Sequence, residues 1–106
     1  MTQIRLTQGA FKVWLTAHGA SRVGRACNEF DCPVANFLRD HGYPEAAVFD
    51  NVWYSDQPML VINKHRLPRW AQTLIEHVDA VDEYDYTGYE VLGLLQRALP
   101  ALRIAA

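Results

Sequence analysis

Several features are scarce in this chain, and each scarcity excludes something. Only two cysteines occur in 106 residues, too few for the disulfide lattice that small secreted folds use when their cores are poor, so reduced thiols are expected. No charged start followed by an apolar run opens the chain, because Gln3 and Arg5 interrupt Met1 to Leu6. A signal peptide and a membrane span are therefore not expected, and a cytoplasmic location is. Neither sign of charge prevails. A formal net charge of −2 disfavours a protein that lives on nucleic acid, because affinity for a phosphate backbone comes largely from many Lys and Arg releasing counterions. Also missing are G-x-S-x-G, a phosphate loop, H-E-x-x-H and G-x-G-x-x-G. Nothing in the sequence recommends an enzyme, and no cofactor is expected.

What is present is apolar. Half of the residues are hydrophobic, and Trp14, Trp53 and Trp70 stand beside four phenylalanines and five tyrosines. Disordered chains lack such aromatics, and the length suits one compact domain over residues 1–106.

Helical signals come first and last. Thr7 precedes residues 8–18, where Phe11, Trp14, Leu15 and His18 fall on one helical face and Gly19 supplies a left-handed stop. Asp31 or Cys32 caps a second helix with Pro33 in its first turn, a stripe of Val34, Phe37, Leu38 and His41, and an end at Gly42. Residues 20–30 between them have no period and read as an ordered loop. Leu67 and Pro68 open a third helix that buries Trp70, Ala71, Leu74, Ile75 and Val78 and leaves His77 toward water. Thr87 and Glu90 form a T-x-x-E capping box before a fourth, with Tyr86 placed to staple onto Val91 and Pro100 as terminator.

The middle reads as strand. Residues 47–54 and 59–63 are rich in strand formers and flank Ser55, Asp56, Gln57 and Pro58, which predicts a β-hairpin. Alternation along the first arm would place Val48, Val52 and Tyr54 on one side and Phe49 and Trp53 on the other. The expected architecture is α+β: two helices, a β-hairpin, then two helices packed as one small domain. Its core should hold Trp14, Phe37, Leu38, Trp53, Trp70, Leu74 and Leu95.

Three groups of residues could carry chemistry. Cys27 and Cys32 are candidate redox thiols, because a cysteine at a helix N-terminus is biased toward thiolate. Against that, the spacing is not C-x-x-C, Glu29 and Asp31 lie between them, and a buried cysteine is commonly a small apolar filler. His18 and His41 each close a helical stripe before glycine; donation to the last carbonyls of the helix explains this more simply than metal ligation, which needs further donors. The most distinctive surface is D-A-V-D-E-Y-D-Y-T-G-Y-E. Here Asp79, Asp82, Glu83 and Asp85 occur without Lys or Arg beside Tyr84 and Tyr89; the plainer reading is a solvated acidic loop entering a helix, where the dipole favours negative charge, and the functional one is a patch that binds a protein partner with a basic surface. Basic residues gather at Lys64, His65, Arg66 and Arg69, and at Arg22 and Arg25. A winged helix reading DNA would have only Arg22, Arg25, Asn36, Arg39 and His41 as donors, a thin set.

The run R-A-C-N-E-F-D-C-P-V-A-N-F-L at 25–38, L-P-R-W-A at 67–71 and the T-x-x-E helix together resemble a group of small bacterial proteins with no assigned activity. The resemblance implies a bacterial or phage origin and transfers no catalytic residue. Small acidic domains without motifs are also a common form of phage-encoded inhibitors of host machinery. The leading expectation is therefore a non-catalytic protein-binding or regulatory module, followed by a cysteine-dependent redox or metal protein, and then a winged-helix-like DNA binder.

Overall fold

The computed structural model describes residues 6–49, 51–56, 63–81 and 83–98. The element order is α1 (Gln8–His18), β1 (Arg22–Arg25), α2 (Pro33–Asp40), β2 (Ala47–Phe49), β3 (Val52–Tyr54), β4 (Lys64–Arg66), α3 (Arg69–Val78), β5 (Asp85–Thr87) and α4 (Gly88–Ala98). The fold is α+β, with the four helices in the expected order around the hairpin.

Local chemistry explains the helix ends. Thr7 Oγ1 accepts the Ala10 N–H at 3.2 Å to start α1, and Gly19 ends it at a φ of +52° that a side chain would disfavour. Cys32 caps α2, its Sγ accepting the Ala35 N–H at 3.4 Å, with Pro33 where no N–H is needed. At α4 the capping box is complete: Thr87 Oγ1 accepts from Glu90 N at 3.2 Å and Glu90 Oε1 accepts from Thr87 N at 2.9 Å. The two remaining N-terminal amides of α4 are also satisfied, Gly88 N donating to the Ser21 carbonyl at 3.1 Å and Tyr89 N to that of Gly19 at 2.9 Å.

All seven expected core residues are buried. Phe11, fully enclosed, sits among Trp14, Phe37 and Trp70 at ring separations of 5.9, 5.4 and 5.5 Å. His18 and His77 in the last turns of their helices and His41 just after α2 all turn Nδ1 to the carbonyl four residues back: His18 to Trp14 at 2.9 Å, His41 to Phe37 at 2.7 Å and His77 to Thr73 at 2.9 Å. A carbonyl only accepts, so Nδ1 carries the proton in each.

The strands differ from expectation in three ways. Residues 22–25 are a strand, not a loop: β1 pairs antiparallel with β5, with Arg22 opposite Thr87, Gly24 opposite Tyr86 and a bulge between Arg22 and Gly24. The two strands meet from distant parts of the sequence, so neither carries a local hairpin signal. Second, the chain reverses between Phe49 and Val52, inside what reads as one continuous arm, and β2, β3 and β4 form a three-stranded antiparallel sheet. The expected second arm lies mostly outside the described residues, and the strand that pairs with β3 is the basic Lys64–Arg66 segment. Third, the reversal changes which side chains share a face. Val48 pairs with Trp53, and Phe49 pairs with Val52. Apolar residues on either side hide a turn at Asn51 that its side chain would otherwise announce.

Candidate functional site

The acidic, tyrosine-bearing turn gathers three of the five large apolar side chains exposed among the described residues. Val81 is 52% exposed, Tyr84 40% and Tyr89 60%. With Tyr86, Glu90, Gly93, Leu94 and Arg97 they line a groove of about 360 Å³ along α4. Tyr89, Gly93 and Arg97 are spaced i, i+4, i+8 on one helical face, and the guanidinium of Arg97 lies across Gly93. That spacing, with a glycine among larger residues, is the sequence signal for Gly93 and Arg97, and Leu94 stands one turn beyond Glu90.

The walls are fixed from behind. Tyr86 is buried, pairs with Gly24 and donates its hydroxyl to the Val78 carbonyl at 3.0 Å. Tyr84 packs edge-on against it at 4.6 Å and donates its own hydroxyl to Glu90 Oε2. The Tyr84 hydroxyl and the Thr87 N–H together hold the Glu90 carboxyl below its ordinary value, while the bond to Glu90 pushes the Tyr84 phenol up. Glu90 thus caps the helix and orients the tyrosine at once.

The acids named from the sequence do not form one field. Asp85 accepts from Arg22 Nε at 3.0 Å and from Arg25 Nη1 at 3.2 Å. Arg22 also grips Asp31 at 2.5 Å, and this bond holds the Asp31 carboxyl below its usual range. The arginines that seemed remote in sequence are brought over the acidic turn by the β1–β5 pairing. Asp79 turns away from the groove: its Oδ1 accepts the Cys27 N–H at 2.8 Å. Glu83 is exposed with φ at +55°, and Asp82 lies outside the described residues. Tyr84, Tyr89 and Glu83 remain at the surface, while Asp79 and Asp85 are committed to holding loops together.

The cysteines flank a different cleft of about 270 Å³, which also involves Asp79, Val48 and Ile75. Cys32 is buried, and burial pushes its thiol up to about 11, outweighing the helix N-terminus that was expected to favour thiolate. Cys27 is exposed at a φ of +57°. Among the described residues no three His, Cys, Asp or Glu side chains gather as a metal site would need. The donors considered for DNA are engaged within the chain: Asn36 Nδ2 donates to the Val23 carbonyl at 2.8 Å, Arg39 Nε to that of Ala46 at 3.2 Å, and Arg22 and Arg25 to carboxylates. No described helix is long and apolar enough to cross a membrane.

This architecture and groove define a small α+β domain with a tyrosine-walled surface cleft. No protein family, curated protein or solved structure matches the chain.

Proposed function

We propose that the protein is a non-catalytic, cytoplasmic protein-binding module whose α4 groove receives an apolar side chain of a partner, flanked on that partner by Lys or Arg. The observation that carries this is the side-by-side exposure of Val81, Tyr84 and Tyr89 around a preformed hollow. Exposed aromatics in a rigid setting anchor interfaces because little side-chain entropy remains to be lost. Glu90 in the groove lining and Glu83, exposed next to Tyr84 in the chain, favour a basic neighbour. Because Asp85 already has two arginines, affinity should rest on the apolar anchor and depend only weakly on salt. In keeping with the sequence resemblance, we place the module in a bacterium or phage, with inhibition of a host system as one use of such a surface.

Selection of a displayed random-peptide library against the whole protein tests the reading. Enriched peptides should share an apolar residue beside Lys or Arg, lose binding to Tyr89→Ala and Val81→Ser, and bind Val13→Ser normally, Val13 being 70% exposed on α1. Failure to enrich, or binding indifferent to Tyr89→Ala, would overturn it.

A further inference from the structure

The three-stranded sheet has two outer edges, treated differently. In an antiparallel ladder, alternate residues direct their N–H and C=O toward the partner strand. Ser55 N donates to the Asn63 carbonyl at 2.9 Å and Leu67 N to that of Asn51 at 2.9 Å, and Trp53 stands opposite His65. The hydrogen-bonded positions of β4 are therefore the odd ones, and the main-chain groups of Lys64 and Arg66 point away from β3. The same parity points Val48 outward from β2, and there the edge is covered, Val48 N donating to the Glu29 carbonyl at 2.8 Å. On β4 no described residue does the equivalent, and all three of its residues are exposed.

The charge around that edge is also unanswered. Lys64, Arg66 and Arg69 have no ion-pair partner among the described residues, whereas Arg22 and Arg25 do. Arg69 even opens α3, where the helix dipole disfavours a cation and no acid stands in the first turn. The edge is also firmly backed, since His65 stacks on buried Trp53 at 4.4 Å and Tyr43 packs on the same indole at 4.9 Å.

We propose that the outer edge of β4 is a docking site for an extended acidic segment of a partner protein, which joins the sheet as a fourth strand. Its main chain bonds Lys64 and Arg66, and its carboxylates meet Lys64, Arg66 and Arg69. The site shares no residue with the α4 groove and does not depend on it.

Titration of the intact protein with a capped peptide of alternating valine and glutamate tests this by amide NMR. The Lys64 and Arg66 amides should move downfield, binding should weaken with salt, and N-methylation of alternate peptide residues should weaken it about tenfold, as loss of two main-chain hydrogen bonds implies. Lys64→Pro, which deletes an outward N–H and no ladder bond, should weaken binding more than Lys64→Met, which removes only the charge. Unmoved Lys64 and Arg66 amides, or a methylated peptide that binds as well as its parent, would overturn the proposal. The methylated peptide is read on the wild-type protein, so that test stands even if Lys64→Pro fails to fold.

Discussion

Gly88 has no room for a side chain. A Cβ there would lie well inside contact distance of the Leu15 carbonyl oxygen, with Gly19 N and O both at 3.1 Å, because the end of α1 abuts the start of α4. Backbone cannot yield as a flexible side chain can, so Gly88→Ala should cost about 2–3 kcal/mol by overpacking. Gly9, in the first turn of α1, has nothing within 4 Å of its missing Cβ, so Gly9→Ala should gain up to about 1 kcal/mol from helix propensity. Urea unfolding of the two variants checks this opposition. Both glycines lie in the first turn of a helix, and only the approach of a distant carbonyl separates them.

Among elements, α4 has the start that depends most on one pair of side chains. Thr87→Ala should cost about 1 kcal/mol, since Glu90 N loses its acceptor. Glu90 adds a pH dependence whose sign follows from its lowered folded value: its contribution is full above the ordinary carboxyl value of 4.5 and is lost as pH falls through the folded one. Glu90→Gln should remove that part of the acid-side decline in Tm, whereas Thr87→Ala should retain it through the Thr87 N–H. This box was legible from four consecutive residues, as were the ends of α1 and α2, because capping is local chemistry. The β1–β5 ribbon was not legible, since R-V-G-R and D-Y-T are too short to show a period and each needs the other to be a strand. The tyrosines of the groove were legible as a composition anomaly. The neutralisation of Asp85 was not, because its arginines arrive from the far strand.

At the scale of the whole molecule, the two thiols report different events. Cys27 is exposed, and Cys32 lies in the core among residues such as Ala26, Val34 and Val48. A thiol-labelling reagent should therefore modify Cys27 promptly in the native protein and Cys32 only as fast as the domain opens, with the rate for Cys32 rising in denaturant. Stability should also fall as pH climbs from 9.0, where an unfolded thiol ionises, toward about 11, because the native state keeps a proton that the unfolded state releases. The ribbon, finally, has a consequence for how the molecule is made. Arg25 and Asp85, which it joins, stand 60 positions apart, so β1 leaves the ribosome roughly 3–12 s before its partner at usual rates of synthesis. During that interval Arg22 lacks one of its two carboxylates, the Gly19 and Ser21 carbonyls lack the amides of α4, and residues 22–25 lack the partner that makes them a strand. Translation, rather than any local helix, therefore sets the earliest moment at which this domain can close.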